Sequence, residues 1–242
     1  MTTAEKPAIS VVIPVFNEEK NIPELCSRLT SVMGAMGQTY DLILVDDGSS
    51  DGTWKAICSV SGVTGIRASA NRGQSAAVYA GLRAAAGRFI GTVDGDGQND
   101  PADFAKMLDI LRAGGADVVY GRRAKRKDTW SKRAASRAAN RIRRLFLDDG
   151  VHDAGCAIKM FRCEAVEFLV PFNGMHRYMA ATFTKAGLRI EEIPVNHRPR
   201  SSGASKYTNW DRALRGIYDL MGVAWLLKRK VHYPGVERVD VP

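Results

Sequence analysis

Short, largely apolar strand-like runs recur through the first half of the chain, and each gives way to polar residues. Residues 9–15 lead into Asn17-Glu18-Glu19, 42–45 into Asp46-Asp47, 65–68 into Asn71-Arg72-Gly73, and 89–93 into Asp94-Gly95-Asp96. A strand covered on both faces reads as a continuous apolar run, whereas a half-exposed strand alternates. Helical stretches separate the runs, over 18–36, from about Ser50 where Ser and Asp offer caps, over alanine-rich 74–86, and after Pro101 behind a capping Asp100. Residues 118–120 make a fifth strand. The order predicts an α/β fold, a mostly parallel sheet flanked by helices. In such sheets ligands bind beyond the carboxyl ends of the strands, and four strands here bring ligand-type residues to that edge.

After Tyr120 the character changes. Eleven Lys and Arg residues lie between Arg122 and Arg144, opposed only by Asp128, enough to account for the formal net charge of +9 over 242 residues. Such a patch calls for an anionic partner: a phosphate-rich substrate, a membrane surface or a nucleic acid. Trp130 and Phe146 are the only aromatics from Arg122 to Phe146, too few for base stacking, so no nucleic acid is expected. A helical stretch (130–146), a strand (157–161), helices to about 187 and a strand (190–195) follow. Residues 196–206 are rich in Gly, Ser and Arg and suit a phosphate clamp. The last helix places Trp210, Leu214, Ile217, Met221 and Trp225 at helical spacing before Lys228-Arg229-Lys230, which fits either a core helix or a helix lying in a membrane interface. The reading is one domain over 1–207, with a nucleotide-side half (about 1–120) and an acceptor-side half (about 121–207), and an amphipathic tail over 208–242.

Several classes are disfavoured. The four cysteines lack C-x-x-C spacing and read as reduced thiols. There is no signal-peptide core at residues 1–10 and no apolar run of about 20 residues. Neither G-x-G-x-x-G after the first strand nor G-x-x-x-x-G-K-[ST] occurs, which argues against dinucleotide dehydrogenases and P-loop kinases. No G-x-S-x-G elbow is present. Counted from Asp94, an EF-hand would need Gly and Glu where Asn99 and Ala105 stand. Gln98 is wrong for a haloacid dehalogenase phosphatase. Two carboxylates separated by glycine, Asp94 and Asp96, can turn toward one hard cation, Mg²⁺ or Mn²⁺, bridging a diphosphate. Asp46-Asp47 can accept hydrogen bonds from a base or ribose.

Taken in order, Val12-Ile13-Pro14-Val15-Phe16-Asn17-Glu18-Glu19, Val45-Asp46-Asp47-Gly48-Ser49-Ser50-Asp51-Gly52-Thr53, Asn71-Arg72-Gly73 and residues 94–101 resemble the family 2 glycosyltransferases. Within these they are similar to the polyprenyl-phosphate sugar synthases, a group that includes dolichol-phosphate mannosyltransferase and its undecaprenyl-phosphate relatives. The resemblance implies a GT-A, Rossmann-like fold. It implies that Pro14, Phe16, Glu18, Asp46, Asp47 and Arg72 line the nucleotide site. Asp94 would lie near the donor diphosphate, with Asp96 and Gln98 on the metal. Arg122 or Arg123 would meet the acceptor phosphate, with Asp153 in a second acceptor-side motif running to Lys159. His197, Arg198, Arg200, Ser205 and Lys206 would form a closing phosphate loop. The implied partners are a nucleotide-sugar donor, with UDP favoured over GDP, a polyprenyl phosphate acceptor and the cytoplasmic face of a membrane. Many relatives end in transmembrane helices, whereas this sequence stops soon after Lys230. Two alternatives stand beside this reading: a family 2 transferase acting on a saccharide hydroxyl, with a general base near Asp153, and a non-catalytic module binding anionic lipid or nucleic acid.

Overall fold

The computed structural model describes residues 6–123, 143, 146–147, 149–196 and 209–229, with no side-chain account for 209–215 and 217. Among the described residues seven strands form one sheet in the order β3-β2-β1-β4-β6-β5-β7. They are β1 (Ile9–Val15), β2 (Tyr40–Asp46), β3 (Val63–Arg67), β4 (Phe89–Thr92), β5 (Val118–Arg123), β6 (Lys159–Arg162) and β7 (Ile190–Val195). The pairings β1–β2, β1–β4, β2–β3 and β5–β7 are parallel. The expected mostly parallel sheet is therefore present but mixed: β6 runs antiparallel between β4 and β5. That reversal brings the first residue of β6 to the edge where the parallel strands end.

Among the described residues the α-helices with assigned bounds are α1 (Ile22–Ala35), α2 (Thr53–Cys58), α3 (Gln74–Ala84), α4 (Asp103–Ala113), α5 (Met179–Lys185) and α6 (Asn209–Arg229). Every residue of β1 is buried, so its apolar run serves two cores. Ile9, Val11, Ile13 and Val15 pack with α1 and α4, while Val12 packs on the opposite face with residues of α3 and α5, the period-2 alternation of a strand. On α1, Ile22, Leu25, Cys26, Leu29 and Met33 form the buried stripe, an i, i+3, i+4, i+7 spacing that faces the sheet. Each such large side chain contributes about 2 kcal/mol of transfer free energy. Pro14 is tolerated in this central strand because β1 pairs with β4 only as far as Val12.

The fifth strand extends beyond the predicted 118–120 to carry Arg122 and Arg123, held by β7 through Pro194 and Val195. The stretch expected to be helical after β6 opens instead with two 3-10 turns, Cys163–Phe168 and Met175–Arg177. In α6 the buried row is Leu220, Val223 and Leu227, set against Tyr178, Ala181, Phe172 and Leu147. Met221 and Trp225, grouped by sequence into one apolar stripe with Trp210, Leu214 and Ile217, instead face outward. The side chains of Trp210, Leu214 and Ile217 lie outside the described residues, as does most of the basic stretch. Among the described residues no helix is long and apolar enough to cross a membrane, and the four cysteines are free thiols.

Candidate active site

The loops that leave β1 and β2 are stitched to each other. Asn17, at φ 55°, accepts the Ser50 N–H at 2.9 Å through its side-chain oxygen and gives its own N–H to Ser49 Oγ at 2.9 Å. The Glu18 N–H goes to Thr53 Oγ1 at 2.8 Å, and the Gly52 N–H to Glu19 Oε2 at 3.2 Å. Asn is among the few side chains that accept the left-handed region. Much of the polar sequence at these two tips therefore holds the tips together. Glu18, assigned by resemblance to the nucleotide, accepts the Asn21 side-chain amide at 2.5 Å. Pro14 and Phe16 stand at the end of β1 beside this joint.

Asp46 and Asp47 differ in environment. Asp46 is fully buried; one oxygen takes the Ser49 N–H at 2.9 Å and the other faces the Arg67 guanidinium at 3.3 Å without a hydrogen bond. Asp47 takes the N–H groups of Arg72 and Gly73, each at 2.8 Å, on separate oxygens. It thus clamps the Asn71-Arg72-Gly73 turn to the tip of β2, and the Arg72 side chain is left exposed at the rim. Gly48 permits this approach: its φ is +70°, and a Cβ there would lie 2.5 Å from the Ala70 carbonyl carbon.

The Asp94-Gly95-Asp96 turn lies directly on the tip of β1. A Cβ on Gly95 would lie 2.5 Å from Val15 Cγ1 and 3.1 Å from the Pro14 carbonyl oxygen. Asp94 accepts the side-chain amide of Gln74, the first residue of α3, at 2.8 Å. Asp96 accepts the Gln98 N–H at 3.2 Å. No group of three His, Cys, Asp or Glu side chains suited to a metal forms among the described residues. Oxygen donors from one turn suit Mg²⁺ or Mn²⁺, ions that complete their shells with substrate phosphate and water. Ahead of α4, Asp100 accepts the Ala102 N–H at 3.2 Å within the preceding turn, but it is not the cap expected of it: the helix begins at Asp103, with Ala102 at its N-cap and no side-chain cap bond. Asp103 accepts the Asn196 N–H at 3.0 Å, fixing where the chain departs toward His197, Arg198, Arg200, Ser205 and Lys206, which lie outside the described residues.

On β5, Arg123 grips Asp153 with Nε at 2.7 Å and a terminal nitrogen at 2.6 Å. This bidentate pair raises the Arg123 guanidinium above its ordinary pKa. Glu192 of β7 holds the backbone N–H groups of His152 and Asp153 at 2.8 and 2.9 Å. Arg123 and Asp153, both given to the acceptor by resemblance, thus neutralise each other, and Arg122 lies exposed beside them. Between this pair and the acidic turn stands Lys159, 4% exposed, its ammonium 5.1 Å from the centre of the Tyr120 ring. Burial lowers its pKa. His176 Nδ1 lies 2.7 Å from Ser75 Oγ, which also accepts the Gly174 N–H at 2.9 Å. Burial, with Lys159 and Arg177 nearby, pushes His176 down to about 3, so it is neutral at physiological pH.

The family model for glycosyl transferase family 2 matches residues 10–170. The chain belongs to glycosyl transferase family 2. It is 35% identical over 237 residues to dodecaprenyl-phosphate galacturonate synthase of Rhizobium johnstonii, covering 94% of this chain and 69% of that protein. Glucosyl-3-phosphoglycerate synthase from Mycobacterium tuberculosis, solved with Mn²⁺, UDP and glucosyl-3-phosphoglycerate, superimposes with TM-score 0.69 at 19% identity, over 95% of this chain and 82% of that one. The mannosyltransferase PcManGT from Pyrobaculum calidifontis, in complex with GDP-Man and Mn²⁺, gives 0.68 at 19% identity, over 96% and 67%. These likenesses establish the GT-A fold.

In this family 2 chain, sequence reading located the strand-tip residues and missed their supports. Gln74 and Ser75 directly follow the Asn71-Arg72-Gly73 motif as the first two residues of α3, and that adjacency was the available signal. His176 gave none, because its partner Ser75 is 101 residues away. Glu192 was equally silent, for its contacts with residues 152 and 153 arise only once β7 lies beside β5.

Proposed function

We propose that the chain is an inverting glycosyltransferase that moves a sugar from a nucleotide-sugar, UDP in preference to GDP, to a polyprenyl phosphate at the cytoplasmic face of a membrane. The product would be a lipid-linked monosaccharide for cell-envelope glycan assembly. The observation that carries this reading is the order of chemistry along the strand-tip edge: nucleotide-type loops on β1–β3, an acidic turn after β4, and cations on β6 and β5. The relative named as a dodecaprenyl-phosphate galacturonate synthase supports the lipid-phosphate acceptor.

An oxygen of the acceptor phosphate attacks the anomeric carbon as the bond to the diphosphate breaks, and the nucleoside diphosphate departs. No side-chain base is required, because a phosphate monoester with a second pKa of about 6 is largely dianionic at neutral pH. The protein's task is to hold two anions together. Asp94, Asp96 and Gln98 would hold Mg²⁺ or Mn²⁺, and the chemistry such an ion supplies is charge neutralisation at the leaving diphosphate. A saccharide hydroxyl acceptor would instead need a base. Asp153, the candidate, already has both oxygens on the Arg123 guanidinium, which disfavours that alternative.

The test is transfer from a panel of nucleotide-sugars to a short polyprenyl phosphate with Mg²⁺ or Mn²⁺. Lipid-linked product is expected, and is expected to vanish in Asp96→Ala. Product on saccharides alone would select the hydroxyl reading; binding without turnover would select a non-catalytic module.

A further inference from the structure

We propose that Lys159 is a binding residue for the acceptor's phosphate, holding one of its anionic oxygens beside the Asp94 turn. The inference rests on the polyprenyl phosphate reading above and names a residue for it.

The sheet order sets the geometry. From β3 to β1 the strand tips carry the nucleotide-type loops, and β4 ends in the acidic turn. The neighbouring strand is β6, about 4.8 Å away. Lys159 opens β6, opposite Thr92 of β4 and Tyr120 of β5. An incoming phosphate must lie just beyond the donor diphosphate, and Lys159 stands one strand beyond Asp94. Arg123 is a strand farther and is engaged by Asp153.

Chemistry points the same way. Among the described residues the Lys159 ammonium makes no hydrogen bond and no ion pair, only the contact with the Tyr120 ring, although the residue is 4% exposed. The Tyr120 ring below it recovers only part of what burying an ammonium costs. The groups its charge acts on are Asp94, Asp153, Cys156 and His176, so it lies between the acidic turn, the acceptor-side pair and the turn packed over α3. Buried charges in proteins are paired, and an anionic substrate oxygen would supply the pairing here. Neutral His176 offers no competing cation.

Lys159→Met is close in size and removes the charge. In detergent, with a short polyprenyl phosphate, Mn²⁺ and a donor the wild type uses, KM for the acceptor should rise about tenfold or more while KM for the donor stays within about twofold of the wild type. The melting temperature should be unchanged or higher, since an apolar side chain replaces a buried cation without a protein partner. Inorganic phosphate should protect the wild type against thermal unfolding and not the variant. An unchanged acceptor KM, an equal rise for the donor, or a lowered melting temperature would each overturn the proposal, the last by showing that Lys159 is a structural counter-ion. If the wild type uses no polyprenyl phosphate at all, the functional reading fails. Phosphate protection then decides separately: loss in the variant keeps an anion site at Lys159, and retention removes it.

Discussion

Adjacent aspartates at the tip of β2 illustrate how little residue type says about role. Asp47 is committed to the Arg72 and Gly73 amides, so Asp47→Ala strands two donors. An unsatisfied buried donor costs about 1–3 kcal/mol; these are part-buried, so the expected loss is about 2 kcal/mol in total, measured by urea unfolding. No change in unfolding free energy would show that water replaces the clamp. His176 makes a pH-dependent contribution. Its folded pKa of about 3 lies below the ordinary value of 6.5, so the unfolded chain binds more protons between those values and stability falls as pH drops through that window. From pH 7 to pH 5 this group alone should cost about 2 kcal/mol. His176→Gln, which retains a hydrogen-bonding partner for Ser75, should lose correspondingly less over the same interval. Equal pH dependence in the two proteins would mean that the imidazole escapes to water and titrates normally.

At the level of elements, α3 holds the site through its packing. Gly81 faces the sheet, and a Cβ there would run into Val12 Cγ1 and lie 3.0 Å from Val45 Cγ2. Gly81→Ala gains about 1 kcal/mol of helix propensity, but overpacking costs about 1–3 kcal/mol. Because Val12 is β-branched and wholly buried in the central strand, the clash should win by about 1 kcal/mol in urea unfolding. Gln74 and Ser75 would move with the helix, so transfer activity should fall as well. A stabilised variant with full activity would show that α3 can shift freely. The strands were legible because β1, β2 and β4 are covered on both faces along most of their length and so are mainly apolar, with Ser10 and Thr92 as buried polar exceptions. The direction of β6 was not, since Lys159–Arg162 reads alike in either orientation and only its neighbours fix it. The site was half legible for a related reason: Asp94, Asp96 and Arg123 announce themselves by type and position, while the partners that decide their availability, Gln74 and Asp153, meet them through tertiary contacts.

For the molecule as a whole, we propose that α6 is the element that would meet a membrane surface. Leu220, Val223 and Leu227 fasten one side of it to α5 and the turns before it. On the other side Tyr218, Met221 and Trp225 are 76%, 55% and 61% exposed, spaced i, i+3, i+7, with Lys228 and Arg229 at the end of the helix. A helix fixed to a globular body by one face can lower its other face into a lipid interface without unfolding. Burying a large apolar side chain contributes about 2 kcal/mol, and each cation near an anionic leaflet about 1 kcal/mol. Trp225→Ser should therefore weaken binding to anionic vesicles by roughly tenfold or more, and raised salt should weaken the wild type further by screening its cations. Transfer to a short polyprenyl phosphate in detergent should be unaffected, because the substitution leaves the buried row of α6 in place. Co-sedimentation with anionic and neutral vesicles at low and high salt measures this directly. Undiminished vesicle binding by Trp225→Ser would mean that another surface meets the membrane, and a parallel loss of detergent activity would mean that the outer face of α6 belongs to the catalytic body.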